Sequence, residues 1–187
     1  MSTSDEVETQ RLTATEERDQ LFAAIGHIIV NFQLVELWLA EALTEMLSLK
    51  VLEDRYIISS AMSFRQKVDL IAELYPRKKT HVYGVEIKLI KRALHTAEEF
   101  RNRIVHSVWT VEPSRKSKKW VRIKSNIKGK NGFIQVALEA NIAHLEAAAK
   151  ALHTIRDWEL SNTENLESAI SILSTPNTDV QHRIGRA

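Results

Sequence analysis

The residues best suited to chemistry lie in Arg101-Asn102-Arg103-Ile104-Val105-His106. On a helix, steps of three and four place Lys88, Arg92, His95, Glu99, Asn102 and His106 along one stripe. Asn102 and His106 then sit one turn apart with adjacent side chains. Arg101 lies roughly 140° round from His106 on an ideal wheel, but its long stem can carry the guanidinium to the same edge. An imidazole gives or takes a proton near neutral pH. A guanidinium can hold a phosphate through two parallel hydrogen bonds and stabilise added negative charge. An amide can orient either partner. Together, Arg101, Asn102 and His106 suit phosphodiester chemistry that needs no metal. A solvated helix face with surface Arg–Glu pairs would have the same spacing, so the stripe alone does not decide the matter.

Arg101-Asn102-x-x-x-His106, followed by Ser107-Val108-Trp109, resembles the signature of HEPN-domain proteins, an Arg and a His separated by four to six residues. A polar residue commonly follows the Arg in that family, as Asn102 does here. The layout is similar too: a long first helix, a shorter one, the motif late in a later helix, and further helix beyond, over roughly residues 21–160. The resemblance implies an all-α, HEPN-like helical bundle and a metal-independent endoribonuclease acting on RNA as a homodimer. It implies Arg101, Asn102 and His106 as catalytic residues and no cofactor. Toxin–antitoxin or phage-defence use, with an antitoxin or other regulatory partner, is the setting it suggests. Where HEPN toxins silenced by nucleotidyltransferases often carry a Tyr two positions after the His, this chain has Val108. A non-catalytic nucleotide- or RNA-binding module and a structural dimeric bundle are the alternatives.

Three further features bear on such a site. Glu36 falls on or beside an apolar stripe, where an unpaired carboxylate is costly. A basic partner is expected, Arg101 or Arg103 among the candidates. That pair could be a purely structural tie between helices, or could support the site together with His95 and Glu99. Between Pro113 and Lys130 there are eight basic residues and no acidic one. Arg115, Lys116, Lys118, Lys119, Trp120 and Arg122 are the expected RNA contacts, cations for the phosphate backbone and an aromatic for a base. A lysine-rich loop that only aids solubility would have the same composition. Val105, Val108 and Trp109 place apolar surface beside the motif, where a partner's motif helix could pack across a two-fold axis.

Other chemistries lack their signatures. The chain has no glycine-rich phosphate loop, no Gly-x-Ser-x-Gly and no His-Glu-x-x-His. Cysteine is absent, which excludes disulfides and thiolate metal sites. His95 and His106 are eleven residues apart, too far for one metal on a straight helix, so no metal site is expected. Trp38, Trp109 and Trp158 read as core or interface anchors.

The elements that must position these groups follow from periodicity. In 187 residues, 44% hydrophobic and 27% charged with net charge +2, one well-buried domain is expected. Residues 1–12 read as a flexible segment, 13–175 as the domain and 176–187 as a flexible tail. Thr13 with Glu16 has capping-box spacing, and the apolar residues from Leu21 to Met46 hold a helical period for about seven turns. Broken by Asn31, Gln33, Glu36, Glu41 and Glu45, this helix reads as amphipathic and not as a membrane span. With no secretory-type leader visible at Met1–Gln10, a cytoplasmic location is expected. Ser63 with Gln66 opens another helix that runs to Pro76, and a third begins near Val82 and carries the motif. Val108–Val111, Trp120–Ile123 and Phe133–Val136 are short β-prone runs, read as a hairpin or meander inserted after the motif helix. A helix from near Leu138 to Leu160 and a shorter one capped by Ser161 and Glu164 complete the bundle.

Overall fold

A computed structural model describes residues 3–77, 85–111, 120–128, 132–157, 161–175 and 181–186. Among the described residues the chain is mainly helical, with a small antiparallel sheet.

Helix α1 (Thr3–Met46) runs unbroken for 44 residues. It starts before Thr13, so the helix start expected near Thr13–Glu16 is corrected to Thr3. Leu21, Ala24, Ile28, Phe32, Val35, Leu39 and Leu43 form the stripe set out by the helical period, and all are buried. The opposite side is less polar than expected, because Val30, Leu34 and Leu37 are exposed there. By length and composition Thr15–Met46 could cross a membrane, yet one face of it is the spine of this bundle. The helix ends in a Schellman turn. Ser48 N–H donates to Glu45 O (2.9 Å) and Leu49 N–H to Thr44 O (3.0 Å), with Ser48 at φ 54°.

Helix α2 (Leu52–Ala61) is not among the helices expected from the sequence. Its described side chains are all exposed, so it imposes no buried apolar period that a reader could detect. Helix α3 (Phe64–Leu74) opens with the expected capping box. Gln66 N–H donates to Ser63 Oγ (3.3 Å), and Ser63 N–H donates to Gln66 Oε1 (2.8 Å). A 3-10 turn at Tyr75–Arg77 follows.

Helix α4 (Ile87–Val105) carries the motif; the expected start at Val82 falls outside the described residues. Ile90, Ala93, Leu94, Ala97, Phe100 and Ile104 recur at helical spacing and are buried against α1, α3, α5 and α6.

The three β-prone runs form the expected meander: β1 (Val108–Val111), β2 (Trp120–Lys128) and β3 (Gly132–Glu139), paired antiparallel in sequence order. A fourth strand, β4 (Gln181–Arg186), pairs with β3 past a register shift at Ile134/Gln135. The expected free tail at 176–187 therefore contains sheet, so the fold is not purely helical. Trp109, Trp120 and Ala140 pack on the helical core, and Val121 and Leu138 are buried.

Helix α5 (Ile142–Arg156) begins four residues after Leu138, which belongs to β3. Asn141 caps it, accepting from His144 N–H at 2.9 Å. Helix α6 (Thr163–Ser174) is capped by Asn162, which accepts from Asn165 N–H at 2.8 Å, and not by Ser161. The Ser161 hydroxyl instead donates to the carbonyls of Thr154 and Asp157.

Candidate functional site

Burial of Ala97, Phe100 and Ile104 fixes the rotation of α4 and hence the direction of every motif side chain. Arg101 turns toward α1. Its guanidinium lies over the Phe32 ring, 4.7 Å from the centroid, and donates to Asn102 Oδ1 at 2.8 Å. A cation on an aromatic face is held with little loss of charge, so Arg101 keeps its capacity for an anion. Its remaining donors make no hydrogen bond among the described residues.

His106 stands at the other end of this short stretch as the C-cap of α4, with φ −92° and ψ 20°. Its backbone N–H closes the helix on Asn102 O (3.1 Å), while its side chain is exposed. Among the described residues the imidazole has no hydrogen bond or ion pair. The structure thus joins Arg101 to Asn102 directly and leaves His106 open to solvent one turn away.

Three of the carbonyls at the end of α4 are taken, Asn102 O by the His106 N–H and two others by side chains. Ser107 Oγ donates to Arg103 O (2.6 Å), and Trp109 Nε1 donates to Ile104 O (3.1 Å). Trp109 is therefore a cap for the motif helix and not the outward apolar surface expected of it. Val105 and Val108 do remain exposed.

Arg103 and Arg122 are used in the same way. Arg103 Nη2 donates to Leu173 O at 2.5 Å, in the last turn of α6, and its guanidinium lies 5.6 Å from the Phe100 ring. Arg122 Nη1 reaches Arg103 O at 3.5 Å, in the last turn of α4. Cations at helix C-termini are favoured by the negative end of the dipole. Burial pushes the Arg103 guanidinium below the usual arginine range, with Glu99 acting against it. Burial and then the neighbouring Arg103 push Arg122 the same way. Arg122 is only 6% exposed, and its Nε has no partner among the described residues. It is therefore an internal cation and not one of the surface RNA contacts expected.

Trp120 is also turned inward, packing on the core with its ring edge-on to Phe22 at 5.6 Å. Arg115, Lys116, Lys118 and Lys119 lie outside the described residues.

The supporting residues divide among different neighbours. Glu36 pairs with Lys67 Nζ at 3.2 Å, not with Arg101 or Arg103. Lys67 had a sequence signal: it sits three residues after Phe64 and four before Ile71, on the apolar stripe of α3. Phe32, the seat of Arg101, was visible only as one of the α1 core positions. His95 Nε2 is 3.7 Å from Asp69 Oδ1, and its buried Nδ1 has no hydrogen-bond partner among the described residues. Lys91 Nζ is closer to the same carboxylate, at 2.8 Å. The hydrogen bond from Lys91 is the main cause of an Asp69 pKa below the usual carboxylate range. Glu99 is exposed and acts electrostatically on Arg103. Asp69–His95–Lys91 thus ties α3 to α4 well back from the motif. Among the described residues, no group of three or more His, Asp or Glu is placed to hold a metal ion.

No family model matches the chain, and no curated protein or solved structure shows significant similarity to it.

Proposed function

We propose that this chain is a metal-independent endoribonuclease of HEPN type, with Arg101, Asn102 and His106 as its site. The observation that supports the reading most is the pairing of Arg101 with Asn102 on the helix whose C-cap is the exposed His106. An aromatic seat and an amide hold the guanidinium, and an imidazole open to solvent lies one turn on. In the proposed reaction the ribose 2′-oxygen attacks the adjacent phosphorus as His106 takes its proton. The phosphorane collapses by breaking the bond to the 5′-oxygen, which receives a proton from the imidazolium. The products are a 2′,3′-cyclic phosphate and a 5′-hydroxyl. Arg101 stabilises the charge added at phosphorus, and Asn102 holds the guanidinium in place.

Arg115, Lys116, Lys118 and Lys119 remain the proposed backbone contacts, and a homodimer with facing motif helices remains the proposed working unit. The exposure of Val105 and Val108 supports that reading; Trp109, bonded to Ile104 O, does not. Toxin or phage-defence use belongs to the same proposal.

The alternative is a nucleotide- or RNA-binding module that does not cut, favoured by the absence, among the described residues, of a hydrogen bond from the His106 imidazole to the Arg101–Asn102 side chains. Incubation with mixed RNAs in excess chelator, followed by end-group analysis, separates the two. Cleavage lost in His106→Ala supports the nuclease. Saturable RNA binding with intact product supports the module.

A further inference from the structure

An α-helix that packs on one side of a soluble bundle is usually polar on the other, and α1 is not. Roughly 180° round an ideal wheel from the buried stripe, Ala23, Val30, Leu34 and Leu37 form a second stripe. The last three are 53%, 36% and 55% exposed. The steps between Val30, Leu34, Leu37, Glu41 and Thr44 alternate four and three, the spacing of a seam between two helices. Toward its C-terminal end this face borders a groove of about 670 Å³ between α1 and α2, lined in part by Leu37, Leu49, Leu52 and Tyr56. Leu52 and Tyr56 are exposed as well.

Charge decides what fits there. Glu41 and Glu45 line the α1 wall of the groove, and Lys50 and Arg55 line the other side. All four are exposed, and no ion pair joins them among the described residues. A two-fold axis that runs two α1 helices antiparallel sets unlike residues of this face opposite one another. With that axis at Leu34, Val30 of one copy faces the Leu37 turn of the other. His27 and Glu41, each seven residues from the axis, face one another. A parallel arrangement would instead set Glu41 beside Glu41.

Gly26 adds an independent observation. A glycine inside a helix is unfavourable, and a Cβ at Gly26 would meet nothing within 4 Å, so this chain's own packing does not require it. It lies on the outer face, where its missing side chain would let a partner helix approach closely.

We infer that the outer face of α1, with the α1–α2 groove, is a docking surface for α1 of a second copy running antiparallel across it. This does not depend on the ribonuclease reading, and the interface is distinct from one centred on the motif helices.

The chain has no cysteine, so single cysteines can report the geometry. Leu34→Cys and Val108→Cys are each treated with a short bis-maleimide, while light scattering gives the mass of the wild-type chain. The expected result is an oligomer that links through Leu34→Cys, whether or not Val108→Cys also links. Leu37→Glu or Gly26→Leu should weaken it by about tenfold or more while helical circular dichroism is unchanged. Glu41→Lys should weaken it as well, and Glu41→Lys with His27→Glu should restore it. A monomeric wild type overturns the inference. So does a dimer that links only through Val108→Cys and is indifferent to Leu37→Glu. A monomer that binds phosphatidylcholine–phosphatidylglycerol vesicles, with binding lost in Leu37→Glu, overturns it in favour of a lipid surface.

Discussion

Removing either member of the Glu36–Lys67 pair should have unequal consequences. The Lys67 side chain is 3% exposed, whereas that of Glu36 is 36% exposed, at an N–O distance of 3.2 Å. In Glu36→Gln the buried ammonium of Lys67 loses its counter-charge. Breaking a buried pair in this way costs about 3–5 kcal/mol, and the water that already reaches Glu36 lowers the expectation to about 2–4 kcal/mol. Lys67→Met replaces the ammonium with an apolar group of similar length and returns Glu36 to solvent. The Coulomb energy lost is that of a partly screened pair, about 1 kcal/mol or less, and the desolvation cost disappears. Lys67→Met should therefore lie within about 1 kcal/mol of wild type, and the double variant close to it, giving a coupling of about 2–4 kcal/mol. Urea unfolding followed by far-ultraviolet circular dichroism, at one protein concentration and with unchanged slope, measures all four corners of the cycle. If Lys67→Met costs as much as Glu36→Gln, the ammonium is not the stranded partner and the reasoning fails.

Two other substitutions probe single atoms. Arg122→Met removes a buried guanidinium that, among the described residues, has an unpartnered Nε and one weak hydrogen bond, so stability should stay within about 1 kcal/mol of wild type; a loss above about 2 kcal/mol in urea would reveal a counter-ion. Ser48→Gly relieves a left-handed backbone at the end of α1, and should raise stability by about 1 kcal/mol in the same assay; no gain would mean that the Schellman turn is relaxed before unfolding.

Much of the bundle was legible because burial writes a period into the sequence. The inner stripe of α1, the Ser63–Gln66 cap and the run from Ile90 to Ile104 are all set by which residues must leave water. Strand runs with punctuating turns gave the meander. Helix α2 was not legible, since its described side chains are exposed and write no buried apolar period into the sequence. Strand β4 was hidden because its edge pairing depends on β3, far away in sequence. At the site, the sequence placed Arg101, Asn102 and His106 on one helix, and the structure adds that Phe32 draws the Arg101 guanidinium toward α1. The partner of Glu36 was misassigned among arginines because both α3 and α4 adjoin α1: Arg101 settles on Phe32, a turn before Glu36, and Lys67 of α3 reaches the carboxylate. Arg122 counted as a surface cation by composition alone, and its register opposite Leu138 and Trp109 turns it inward.

The most direct test of the proposed chemistry is cleavage of a mixed RNA pool by the purified chain in excess chelator, compared with His106→Ala and Arg101→Ala. The wild type should yield 5′-hydroxyl and 2′,3′-cyclic phosphate ends. His106→Ala should be slower by about a hundredfold or more yet remain folded, since the imidazole is exposed. Intact RNA with the wild type, cleavage that stops with chelator, or a His106→Ala variant that cuts at the wild-type rate would each contradict it.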